Sequence, residues 1–118
     1  NAARSQLAQA LWNQVSSIPA DSAGTHPADR VAPGAVAVAA RHDLDLAGRS
    51  PRPVGEVVLS TDLIVTVCDR AHEEYLHGAM HWSVPDPVRI GTKKAFDDAF
   101  DELASRVIRL ARHLQATA

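Results

Sequence analysis

The chain has 118 residues, 46% of them hydrophobic and 22% charged, with a net charge of -2. That is one small domain with enough apolar side chain for a core. Its weak field gives no reason to expect nucleic acid or an anionic membrane as partner. No apolar run approaches the roughly 20 residues of a spanning helix.

Only 4% of residues are aromatic, so aliphatic side chains and alanine must fill the core. The single cysteine, Cys68, excludes an internal disulfide and suits a reducing cytoplasm. The chain opens on Asn1 with no apolar signal-peptide core behind it, which reads as a cut within a longer chain.

Leu7, Leu11 and Val15, with Ala8 and Trp12 beside them, predict an amphipathic helix over residues 5–17, closed by Ile18 and Pro19. Residues 20–23 read as a strand end entering a turn at Gly24, and residues 26–34 as a loop. Pro33 stands where a first helical turn tolerates it, and an alanine-rich helix follows over 34–42. Residues 42–53, broken by Gly48, Pro51 and Pro53, form a connection, and a short helix is expected over 54–60.

Residues 63–68 are the strongest strand signal. The run is continuous and β-branched, as a strand buried on both faces of a parallel sheet requires. Asp69 can cap a short helix through Tyr75, with Glu73 and Glu74 near its positive end. A strand over 80–84 and a rigid loop at Pro85, Asp86 and Pro87 come next. Phe96, Phe100, Leu103, Val107, Leu110 and Leu114 mark the core stripe of a long last helix. Helices alternating with short buried strands imply a three-layer α/β sandwich around a parallel sheet. The first helix has no strand feeding it.

Six histidines invite a metal reading. His77 and His81 are four apart, and His72 lies near Glu73 and Glu74. Gly78 interrupts the helix between His77 and His81, and no spacing matches a zinc pattern, so no metal is expected. His26 and His42 read as loop or helix-end residues. Arg49 and Arg52 read as solvated or paired, and Trp12 and Trp82 as core or pocket-rim residues.

The opening Asn1, Ala2, Ala3, Arg4, Ser5 resembles the second half of an anion-binding loop, from its fourth position onward. Such a loop points backbone N–H groups at a tetrahedral oxyanion on a helix N-terminus, and an Arg at its end adds a planar, permanently charged fork. Ser22 to Thr25, Arg49 to Val54, Thr61 to Asp69 and the acid-loop segment from His81 to Pro87 follow in order. Together these motifs resemble the low-molecular-weight protein tyrosine phosphatase superfamily, and within it the arsenate reductases of actinobacterial, small-thiol-dependent type. The resemblance covers essentially the whole chain.

The resemblance implies a four-stranded parallel sheet of order 2-1-3-4, with the first strand absent, in a single domain over 1–118 that is incomplete at its N-terminus. It implies Arg4 and Asp86 as catalytic residues, with Asn1, Ala2, Ala3, Arg4 and Ser5 holding the oxyanion. Asp86 donates a proton to the departing oxygen. The nucleophilic cysteine belongs three residues before Asn1, so the 118 residues alone are expected to be inactive.

Cys68 is a candidate redox residue, or a small apolar residue at a strand end. Thioredoxin-coupled relatives pair such a cysteine with another seven residues on, where this chain has Tyr75. The missing relay implies a low-molecular-weight thiol co-substrate, mycothiol or glutathione, with a glutaredoxin-like reductase and no bound cofactor.

The substrate implied is arsenate, favoured by His81 and Trp82 and by the lack of a tyrosine pair beside Asp86. The alternatives are a phosphatase acting on phosphotyrosine and a non-catalytic arsenic- or oxyanion-sensing domain of a fusion protein.

Overall fold

The computed structural model describes residues 3–24, 29–46, 48–53, 63–67 and 80–117, and side chains through residue 114. In chain order the elements are α1 (Arg4–Val15), α2 (Pro33–Arg41), β1 (Val65–Thr66), β2 (Met80–His81), α3 (Pro87–Ile90) and α4 (Lys93–Thr117). The short helices expected over 54–60 and 69–75 lie outside the described residues.

α1 buries Gln6, Leu7, Ala10, Leu11 and Trp12. The helix stops before the expected Ser17. Ser16 turns extended, and Val15, counted into the stripe, is 36% exposed. The exit is stitched by the Trp12 indole, which donates to the Ile18 carbonyl at 2.9 Å.

α2 begins at Pro33, whose missing N–H costs nothing in a first turn. It buries Ala35, Val38 and Ala39. Gly34 lets α2 approach α4 closely, because a Cβ there would run into the Phe96 ring.

α4 supplies the largest share of the core: Phe96, Ala99, Phe100, Leu103, Val107 and Ala111 are buried. The small residues Ala99 and Ala111 take buried places, and Leu110 and Leu114 pack only partly against the core. The helix is longer than the hydrophobic stripe alone suggests, because the Thr92 hydroxyl accepts from the Ala95 N–H at 3.1 Å and fixes an earlier start.

β1 and β2 pair in parallel, Val65 opposite Met80 and Thr66 opposite His81. That is the pairing expected of the third and fourth strands in the order 2-1-3-4. The ladder runs past the strands proper, through Met80 N–H to Ile64 O at 3.1 Å and Trp82 N–H to Thr66 O at 2.8 Å. Across the pair, Thr66 Oγ1 lies 2.6 Å from His81 Nδ1.

Residues 20–23, read as a strand end, form no ladder among the described residues. They lead to an isolated parallel bridge between Gly24 and Pro53, closed by Gly24 N–H donating to Arg52 O at 2.8 Å.

Pro85, Asp86 and Pro87 were expected as a rigid loop; Pro85 and Asp86 lie in one, and only the last of the three differs. Pro87 opens the one-turn helix α3, and Gly91 closes it with φ of 81° in the left-handed region that suits glycine.

No helix among the described residues is long and apolar enough to cross a membrane.

Candidate functional site

The start of α1 faces the carboxyl ends of β1 and β2. Ala3, at the N-cap, makes no side-chain bond to the first turn. A helix of 12 residues presents a partial positive charge at that end. Ala3 is 4% exposed, and its carbonyl accepts from the Leu7 N–H at 3.0 Å.

Arg4 reaches across this end to the sheet. Its Nη1 donates to the Val67 carbonyl at 3.0 Å and to the Val84 carbonyl at 2.7 Å. One nitrogen thus ties the helix start to the exits of both strands. Its Nη2 lies 3.8 Å from Asp86 Oδ2. The Arg4 side chain is 16% exposed and that of Asp86 39%, so the pair sits at the mouth of the site, with Arg4 behind and Asp86 in front.

Asp86 is held on its other side as well. Oδ1 accepts from the Val88 N–H at 3.0 Å, capping α3. A proline on each side restricts the backbone, and the cap fixes the side chain. One carboxylate oxygen is therefore spent on the fold while the other faces Arg4.

Of the sequence-derived site residues, the structure brings Ala3, Arg4 and Asp86 to one place, with Ser5 following in the first turn of α1. Asn1, Ala2 and Cys68 lie outside the described residues, as do Tyr75, His72 and His77. Trp12 and Trp82 are core residues, each 8% exposed. Arg52 pairs with Asp21 at 3.0 Å, as its reading as a paired residue anticipates. His42 stacks on Phe100 with ring centroids 3.9 Å apart. Among the described residues no group of three or more His, Cys, Asp or Glu side chains could hold a metal ion.

Sequence reasoning missed Gln6. It is 2% exposed, on the flank of α1 away from Arg4, and its amide donates to the Ser50 carbonyl at 3.5 Å. Its signal was present: a glutamine two residues after the arginine, inside an apolar helical face, must find buried partners.

Fold and site place the chain in the class of α/β domains whose functional groups gather beyond the carboxyl ends of parallel strands. The family model for low molecular weight phosphotyrosine protein phosphatase matches residues 1–118, and the chain belongs to that family. It is similar to the solved arsenate reductase of Archaeoglobus fulgidus DSM 4304 at 32% identity and a TM-score of 0.77, over 94% of this chain and 92% of that one. It is also similar to a solved protein tyrosine phosphatase at 26% identity and a TM-score of 0.84, over 100% of this chain and 92% of that one. Among curated proteins no match was found.

Proposed function

We propose that the protein is an arsenate reductase. The observation that carries this reading is the placement of Arg4 against the Val67 and Val84 carbonyls with Asp86 at 3.8 Å, in a chain 32% identical to a solved arsenate reductase. Arg4 and the amides at the start of α1 hold the arsenate oxygens. A thiolate from the position three residues ahead of Asn1 attacks arsenic. Asp86 protonates the departing oxygen, which leaves as water.

Two small-thiol molecules complete the reaction. The first displaces the enzyme thiolate from arsenic, and the second attacks the sulfur of the first, so that the sulfur–arsenic electron pair stays on arsenic, which leaves as arsenite in the +3 state beside one disulfide. Mycothiol or glutathione fills this role, and a glutaredoxin-like reductase recycles the disulfide. Tyr75, in the relay position, supports a small thiol over a thioredoxin-coupled relay within the chain. The physiological role implied is arsenic resistance in a reducing cytoplasm.

The second reading is a phosphotyrosine phosphatase. The family description and the TM-score of 0.84 to a tyrosine phosphatase favour it. The same thiolate, arginine and carboxylate perform it: Asp86 protonates the leaving phenolate and then activates water. A third reading, an oxyanion sensor, needs only the binding half of the site.

One paired assay separates the three. Arsenate-dependent thiol oxidation without hydrolysis of p-nitrophenyl phosphate supports the reductase. Hydrolysis without arsenate reduction replaces it with the phosphatase. Arsenate binding with neither turnover leaves the sensor.

A further inference from the structure

On the opposite flank of α1 from Arg4 lies an open depression of about 350 Å³, lined by Gln6, Gln9, Gly48, Arg49, Ser50 and Arg52. Its floor is fixed. Gln6 reaches Ser50 O, and the Gln9 amide donates to Ala20 O at 3.1 Å while its Oε1 accepts from the Ser22 hydroxyl at 2.7 Å.

The two arginines differ. Arg52 is spoken for: it donates to Asp21 Oδ1 at 3.0 Å and to Ser22 O at 3.4 Å. Arg49 is half-buried, and only its backbone N–H is engaged, with Leu46 O at 3.3 Å. Among the described residues its guanidinium has neither an ion pair nor a hydrogen bond. The lining holds no carboxylate, so the depression keeps a net positive charge. A half-buried planar fork of donors with no acceptor is complementary to a carboxylate.

Position supplies the rest. At about 100° per residue, Gln6 points about 200° around α1 from Arg4, so the depression and the Arg4 site flank the same first turns of a helix about 10 Å across. A tripeptide spans about 10 Å when extended.

We infer that this depression is the carboxylate subsite for the small thiol, with Arg49 grasping the carboxylate. The inference rests on the arsenate reductase reading and deepens it. It assigns the co-substrate to the acidic, peptide-like thiols such as glutathione, in preference to uncharged sugar thiols such as mycothiol.

The test uses S-methylglutathione, which cannot react, titrated into the protein by calorimetry or NMR. Arg49→Gln should weaken binding about tenfold or more, the scale of a charge-assisted hydrogen bond. Arg49→Lys should restore part of the affinity, and the dimethyl ester of the probe should bind wild type as weakly as the acid binds Arg49→Gln. In turnover, Arg49→Gln should raise KM for glutathione by a similar factor and leave KM for arsenate unchanged. Equal binding of the acid to wild type and Arg49→Gln, equal binding of acid and ester, or no binding to wild type overturns the subsite. Arg49-dependent binding in a protein that reduces no arsenate keeps the subsite and removes the reductase. Arsenate reduction indifferent to Arg49→Gln does the reverse.

Discussion

Arg4 Nη1 donates to the carbonyl of Val84 at 2.7 Å, 80 residues further along the chain. That bond, with its companion to Val67 at 3.0 Å, makes Arg4 a structural clamp as well as a candidate ligand. The guanidinium is oriented by the sheet before any anion arrives, so its remaining edge needs little reorganisation on binding.

Arg4→Lys should therefore do two things. An ammonium cannot span two carbonyls and also offer a fork to an oxyanion. Sulfate or arsenate affinity should fall about tenfold or more, and the melting temperature should drop too. Unchanged affinity, measured by calorimetry, removes Arg4 as a ligand, and an unchanged melting temperature removes it as a clamp.

Asp86→Asn separates chemistry from structure. The amide oxygen can still accept from Val88 N–H, so the cap on α3 survives and stability should change by less than about 1 kcal/mol. Turnover should fall by about 10²-fold or more, the scale of a lost general acid. A thermal melt and a steady-state assay on one preparation check both halves, and unchanged turnover removes Asp86 from the mechanism.

Gly34→Ala tests the α2–α4 contact. The added methyl must displace the buried Phe96 ring, so the fold should lose about 1–3 kcal/mol despite alanine's better helix propensity. Urea unfolding measures it, and a stabilised variant would contradict the packing described.

Arg41 and Asp97 predict a titration. The Arg41 guanidinium, hydrogen-bonded to Asp97 at 2.6 Å, holds that carboxyl below its ordinary value. A depressed carboxyl stabilises the fold at pH above its unfolded value, and that contribution disappears as pH falls through the folded value. In Arg41→Met the Asp97 midpoint, followed by NMR, should rise. An unmoved midpoint assigns the depression elsewhere.

Much of this was legible in the sequence because the patterns are periodic or bear charge. The α4 stripe from Phe96 to Val107 announced a buried face, and its order of apolar residues left little choice of orientation. Pro33 marked the start of α2, and the β-branched run around Val65 marked β1. Arg4 and Asp86 were visible as candidates, but their approach to 3.8 Å is a tertiary fact.

What stayed hidden depended on partners far away in the chain. Asp86 reads as a loop residue until its cap on Val88 is seen, and a one-turn helix has too few residues for a period. Residues 20–23 read as a strand end, and among the described residues they lead only to the Gly24–Pro53 bridge, because pairing depends on a neighbour that local sequence does not reveal. Gln6 drew no reading from the sequence, and its role follows from where residues 48–53 pass.

The central claim, that Arg4 and Asp86 serve arsenate reduction, is tested most directly by following arsenate-dependent oxidation of glutathione. The protein used carries a strand and Cys-x-x ahead of Asn1, and wild type is compared with Asp86→Asn. The account predicts steady turnover that falls about 10²-fold in the variant, and none from the 118 residues alone, whose one cysteine is Cys68. Arsenate-dependent turnover by the 118 residues alone, lost on Cys68→Ser, or wild-type rates in Asp86→Asn, would contradict it.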